Sequence, residues 1–336
     1  MRRMTVMAGI LLAAGALAAG PCLANDTTAE LTTGGVVYVQ TSDVSMEEEA
    51  LYLSRDEVLV DYVFRNGSDK EVESIIAFPM PDVVGGSQSD IAFGDAGSDN
   101  FLGFSVVQDS RQIKPALQQR AIATGIDWTD DLVAQKVPLL PYSDKTLAAL
   151  KQLPEAVKAE WVTRGLVFVN RYDAGNGWQE ELTPAWTLRS AYWWKTIFPP
   201  GKPVRVSHRY KPSVGGTVAM SFIQNGKPAM EYRSYAERYC IDDAFMKTAA
   251  KLEAAAGKSG PHYTEQWISY ILTTGANWSG PIKKFKLTID KGKPQDYVSF
   301  CGSGVKKVGP TTFELTAEDF TPEKDLHVLF LTAADW

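Results

Sequence analysis

Apolar and polar positions alternate with a period of two along much of the chain. Between Glu57 and Arg65, Val58, Val60, Tyr62 and Phe64 share one face, while Leu59, Asp61, Val63 and Arg65 share the other. β-Branched and aromatic residues at that period specify a strand with one face in a core. Asn66-Gly67 then reads as a hairpin turn, because both residues tolerate positive φ. Val72, Ser74, Ile76 and Phe78 alternate along the return strand. Pro79 and Pro81 stop it, since neither can donate a ladder hydrogen bond. A longer strand places Trp186, Leu188, Ser190, Tyr192 and Trp194 on one face and Arg189 and Lys195 on the other. After a turn over 198–203, Val204, Val206, His208 and Tyr210 line up in the same way. Shorter strands are predicted at 35–40, 101–107, 284–289, 311–316 and 326–331.

Helical spacing is confined to a few stretches. Pro115 is placed to start a helix and Gly125 to end it. Ser143 caps a helix over 144–150, and Pro154 begins another with Val157 and Trp161 four apart and Gly165 as its stop. Asp242 caps a helix over about 243–256, ended by Gly257. The segment 85–100 is rich in Gly, Ser and Asp and reads as a long loop. The pattern predicts a mainly β protein. A β-sandwich over 25–215 carries a helical insertion at about 113–168, and a smaller β-rich C-terminal region, 216–336, has one helix.

The first 24 residues stand apart. Arg2 and Arg3 precede an apolar run of about 14 residues, and Cys22-Leu23-Ala24 supplies the small residues that a signal peptidase reads. A secretory leader cleaved after Ala24 is predicted. The run is short of the ~20 residues that a spanning helix needs, and no later segment is long and apolar enough, so no transmembrane segment is predicted. The formal charge of −6 comes without a Lys/Arg cluster, which excludes nucleic acid as the expected partner. Cys240 and Cys301 remain after the leader. An even pair in an exported chain reads as a disulfide.

Signatures of chemistry are missing. The sequence contains no HExxH, paired CxxC, EF-hand loop or Gly-x-Ser-x-Gly elbow, so no metal, cofactor or catalytic residue is assigned. Asp90, Asp95, Asp99 and Asn100 offer oxygens to calcium, but their spacing fits no ligand loop. Glu47-Glu48-Glu49 and Asp130-Asp131 are carboxylate neighbours whose side chains alternate in direction along a strand, so adjacency does not make a catalytic pair. Three residues are candidate binding positions. Trp193 points away from Tyr192 and Trp194, between Arg189 and Lys195, and either stacks on a sugar or a partner or lies under the helical insertion. His208 shares an apolar face and is either a packing residue or a general base. Met80, between two prolines, is either a docking knuckle or part of a strand terminator.

Several motifs resemble one family. They are Asn25-Asp-Thr-Thr-Ala-Glu-Leu-Thr-Thr-Gly-Gly35, Ala77-Phe-Pro-Met-Pro81, His208-Arg-Tyr-Lys-Pro-Ser-Val-Gly215, Thr273-Thr-Gly-Ala-Asn-Trp-Ser-Gly-Pro-Ile282, Val298-Ser-Phe-Cys301 and Phe320-Thr-Pro-Glu-Lys-Asp-Leu326. They are similar to those of the exported proteobacterial family catalogued as domain of unknown function 4424, over nearly the whole mature chain. The resemblance implies a Gram-negative periplasmic protein with an immunoglobulin-like sandwich, and it implies no activity. The chain is thus expected to be a non-enzymatic binding or scaffold protein whose partner is an envelope protein or a glycan. The alternatives are an envelope hydrolase built around His208 and a carbohydrate-binding module using Trp193.

Overall fold

Period-two segments become the strands of three large sheets in the computed structural model, beside two separate two-stranded pairs. It describes residues 25–334 apart from 33–34, 87–89, 93–94, 174, 176 and 259. The leader assigned to 1–24 lies outside the described residues. The strands used below are β1 (Thr27–Thr32), β2 (Gly35–Val39), β3 (Val44–Leu53), β4 (Val58–Asn66), β5 (Val72–Pro79), β6 (Ser105–Gln108), β7 (Ala116–Ala123), β8 (Val167–Asp173) and β9 (Trp178–Pro184). They continue with β10 (Thr187–Phe198), β11 (Pro203–Tyr210), β12 (Val214–Thr217), β13 (Tyr263–Tyr270), β14 (Ile282–Asp290), β15 (Thr312–Phe320) and β16 (Leu326–Ala333). The helices are α1 (Thr129–Ala134), α2 (Asp144–Gln152), α3 (Glu155–Thr163), α4 (Tyr232–Tyr239) and α5 (Asp243–Ala255).

The first sheet runs in the order Ile126–Asp127, β7, β10, β5, β1, β2. The second runs Lys306–Lys307, β15, β14, β3, β4, β11, β6, Arg111–Ile113. The third runs Tyr297–Phe300, β16, β13, β12, Asp90–Ala92. The second sheet is the broad layer. Phe104 and His208 on its inner side meet Phe78 and Trp194 of the first sheet, and Tyr62 meets Tyr270 of the third. One core therefore joins all three sheets, from Val60 and Phe64 to Ile289 and Phe330. Each such fully buried side chain stabilises the fold by roughly 1.5–3 kcal/mol relative to exposure. A second core packs α1–α3 against Ala121, Ala123 and Trp186, and a third packs α4 and α5 on the other face of β16.

The alternation read from the sequence holds in β4, β10, β11 and β14. Ser143 and Asp242 cap α2 and α5 as expected. Three expectations are corrected, and the fold class holds in its coarser part.

The first is the turn at Asn66-Gly67. β4 and β5 do not form a hairpin: β4 pairs with β3 and β11, and β5 with β10 and β1. The apolar faces of β4 and β5 belong to opposite layers, and the chain crosses between them. The buried Asn66 amide holds that crossover, donating to Lys70 O and Phe198 O at 2.7 and 2.8 Å.

The second is the helix between Pro115 and Gly125. Ala116–Ala123 is a strand paired with β10 from Ala116↔Trp193 to Ile122↔Thr187. Its buried residues, Ala121 and Ala123, are two apart, which is the period of a strand. Thr124 and Gly125 both have positive φ and close a two-residue hairpin, Ala123↔Ile126. The helical part of the insertion is thus 129–163.

The third concerns the C-terminal region. Among the described residues it holds two α-helices, α4 and α5, rather than one, and its strands enter sheets shared with the rest of the chain. β14 lies parallel to β3 inside the second sheet, and β12 sits beside β13 in the third.

The fold class holds as mainly β. A plain immunoglobulin-like sandwich has two antiparallel sheets. Here a parallel pair and a third sheet are built into the same core.

Candidate functional site

The densest group of chemistry-bearing residues lies where the first and third sheets meet over the second. Two local features create it. A β-bulge between Met46 and Glu48 shifts the register of β3 on β4. Val44 and Met46 face inwards before the bulge, and Glu49, Leu51 and Leu53 after it. Without that extra residue Glu49 would point outwards. The second feature is the start of β1. Thr27–Ala29 pair with Ala77–Ile75 of β5, and the two residues ahead of them, Asn25 and Asp26, run into the seam with no exposed surface.

Asn25 is held from every side. Its N–H donates to Thr274 Oγ1 at 2.7 Å, and that hydroxyl donates back to Asn25 O at 2.9 Å. Its amide donates to Glu49 Oε2 at 3.2 Å, while its Oδ1 accepts from Tyr62 OH at 2.5 Å and from Asp26 N at 2.8 Å. Tyr62 and Tyr270 hydroxyls are 3.0 Å apart. Trp278 Nε1 donates to Asp26 O at 2.7 Å. His208 Nε2 lies 2.8 Å from Asp26 Oδ1. The imidazole is enclosed by the rings of Tyr62, Phe78, Phe104 and Trp194, with centroids 4.8–5.5 Å away. Asp26 Oδ2, Glu49 Oε1 and His208 Nδ1 are buried without a hydrogen-bond partner.

Burial dominates the electrostatics. It pushes the Asp26 carboxyl above its ordinary range, and His208 opposes the shift. It pushes Glu49 up to about 8. The hydrogen bond from Asn25 opposes that rise, and the neighbouring Asp26 carboxyl adds to it. The side chains of His208 and Asp26 have no exposure, so no substrate reaches them. A buried network of this kind fixes one arrangement of the surrounding sheets.

A different region faces solvent. Among the described residues, β8 and β9 pair only with each other, and the ribbon exposes Phe168, Val169, Tyr172 and Trp178, the last at 78%. Between the ribbon and α2 and α3 lies a groove of about 580 Å³. Leu150, Val162, Val169 and Leu182 give it an apolar floor, and Lys158 and Glu180 stand at its edge.

The residues singled out by sequence do not converge. Met80 is buried, and its N–H bonds to Ser190 O. His208 belongs to the seam. Trp193 is half-buried on the outward face of β10, opposite Ala116 and Ala77. The element crossing that face is the β1–β2 hairpin rather than the helical insertion. Val36 N–H reaches Gln118 Oε1 at 2.8 Å, and Gln118 is paired with Ala191 of β10. In the 85–100 loop, Asp95 Oδ1 accepts from Gly97 N, and Asn100 bonds Phe104 and Tyr192. Among the described residues, no three His, Cys, Asp or Glu side chains are grouped to hold a metal ion. Cys240 and Cys301 form the disulfide read from the sequence.

Sequence reasoning missed Asn25, Asp26, Glu49 and the ribbon. One signal was available for Glu49. The apolar positions 44 and 46 are out of step with 51 and 53, an offset that requires a bulge between them.

Comparison with known proteins gives a family and little else. The family model described as domain of unknown function DUF4424 matches residues 24–329. No curated protein matches the chain. Among solved structures, the chain is similar to a protein of Legionella pneumophila subsp. pneumophila str. Philadelphia 1 described as a "putative nutrient binding protein". The identity is 17%, the match covers 91% of this chain and 72% of that one, and the TM-score is 0.42. At that TM-score the likeness carries no argument about fold or ligand.

Proposed function

The chain belongs to the DUF4424 family, a domain of unknown function, and we propose that it is a periplasmic, non-enzymatic binding protein whose β8–β9 ribbon takes up an extended segment of another envelope protein. The observation that carries this reading is the ribbon itself. A two-stranded ribbon paired with no other sheet is marginal in water, yet this one presents Phe168, Val169, Tyr172 and Trp178 to solvent. Val169 and Trp178 share the ribbon face that borders the groove, and Phe168 and Tyr172 lie on the opposite face. Exposed apolar groups on both faces of a free ribbon are characteristic of a protein contact surface. Among the described residues each strand also keeps one unpaired edge, to which a partner strand can add its backbone while alternate side chains enter the groove. Lysines and glutamates of both signs at the rim set the register of such a segment.

Export is supported by three features. They are the leader-like pattern of residues 1–24, a family match that begins at residue 24, and a disulfide, which persists in oxidising compartments. No described helix is long and apolar enough to cross a membrane. The alternative of a hydrolase built on His208 lacks support, because the ring is sealed.

A photo-crosslinking residue placed at position 169 or 178 of the exported protein tests the proposal in cells. A discrete protein adduct from these positions is expected, with none from position 197 on the outer face of β10. An adduct from position 193 and none from the ribbon would move the surface to Trp193. Retention on purified envelope glycan, lost on Trp178→Ala, would replace the protein partner with a sugar.

A further inference from the structure

The seam around Asn25 is short of hydrogen-bond donors. The peptide nitrogen of Asn25 carries one hydrogen and gives it to Thr274 Oγ1 at 2.7 Å. Two buried carboxylate oxygens beside this residue, Asp26 Oδ2 and Glu49 Oε1, have no partner. Asp26 is the next residue, and the other oxygen of Glu49 already bonds the Asn25 side chain at 3.2 Å. Leaving such oxygens unpaired in a core is costly. Asn25 and Asp26 have no exposed surface, although any chain ahead of them has to leave this point.

We infer that the seam is a built site for a free α-ammonium, the one created at Asn25 when the leader is removed, and that leader removal thereby locks the fold. The inference rests on the reading of residues 1–24 as a leader cleaved after Ala24. Hydrolysis of the Ala24–Asn25 peptide bond adds one water. It leaves a carboxylate on Ala24 and an amine on Asn25 that takes up a proton. The ammonium has three donors. One replaces the existing bond to Thr274, and two are free for Asp26 Oδ2 and Glu49 Oε1. The number of donors gained equals the number of orphaned carboxylate oxygens. A cation placed there also pairs with two acids that otherwise lie in the core with His208 as the nearest basic group. Asn25 and Asp26 join the first sheet, through β1, to Tyr62 of the second and to Tyr270, Thr274 and Trp278 on the third-sheet side. An ammonium docked here therefore acts on the whole core.

The test compares two purified chains, one starting at Asn25 and one carrying Gly-Ser ahead of Asn25. The Asn25 start is expected to raise Tm by roughly 5–10 °C, the range expected for completing a buried ion pair in a chain of this size. In the native state its α-amine should resist acetylation by an amine-directed reagent, read by mass spectrometry of the N-terminal peptide, while surface lysines react. In a Glu49→Gln background the Tm difference should shrink. Equal Tm values together with an α-amine that reacts as fast as the lysines would overturn the inference. N-terminal mass analysis of the exported protein tests the cleavage site separately. A start other than Asn25 defeats that reading, whereas the comparison of the two defined chains still decides whether the seam takes an ammonium.

Discussion

His208 and Asp26, 182 residues apart in sequence, meet at 2.8 Å with both side chains fully buried. The contact joins the second sheet to the residues that lead into the first. Removing one partner strands the other in the core. Asp26→Ala is expected to destabilise the protein by about 3–5 kcal/mol, read as a fall in the urea midpoint at an unchanged m-value.

Glu49 gives the fold a defined pH dependence. Its carboxyl titrates near 4.5 when unfolded and at about 8 when folded, so the folded state binds the extra proton between those values. The stability from this group is fully present below about 4.5 and is lost as pH rises through about 8. Asp26, also raised, has the same sign. His327, held low by burial, destabilises the fold only as pH falls below about 6.5. Between 6.5 and 8 the His327 contribution is absent, and the loss comes from the raised seam carboxyls, Glu49 with Asp26 beside it. A chain extended ahead of Asn25 should lose stability across that window, and Glu49→Gln should reduce the loss, as measured by urea midpoints at several pH values.

The Cys240–Cys301 bridge closes a 61-residue separation. It ties the end of α4 to the residue after the strand Tyr297–Phe300. Replacing both cysteines with serine is expected to cost about 4 kcal/mol through the freed unfolded chain. Reversible thermal unfolding of the two forms checks this.

The exposed ribbon should respond differently. Trp178→Ser and Trp178→Ala remove apolar surface that already faces solvent, at 78% exposure. Their effect on stability is expected to stay within about 0.5 kcal/mol, while crosslinking from the ribbon falls. A large loss of stability would show that this side chain packs in the free protein.

Local rules made much of this fold legible. Val58 to Phe64 and Val204 to Tyr210 alternate along single strands, and alternation along a strand needs no knowledge of its neighbours. Ser143 and Asp242 cap by contacts three residues away. What was not legible depends on distant partners. Whether Asn66-Gly67 folds β5 back on β4 or sends it to another sheet is decided by which layer buries Ile76 and Phe78. Ala116–Ala123 is a strand because β10 lies beside it. Asn25 and Asp26 read in sequence as polar surface residues, and distant partners such as Thr274, Tyr62 and His208 make them core residues.

The measurement that bears most directly on the account is the yield of the crosslinked adduct from position 178 in three forms of the protein expressed with residues 1–24. These are the otherwise unaltered chain, Val169→Ser and His208→Gln, compared at a temperature where all are folded. If the ribbon is the working surface and the His208 cluster is its frame, the adduct is lost in Val169→Ser and kept in His208→Gln. An adduct kept in Val169→Ser and lost in His208→Gln would contradict the account.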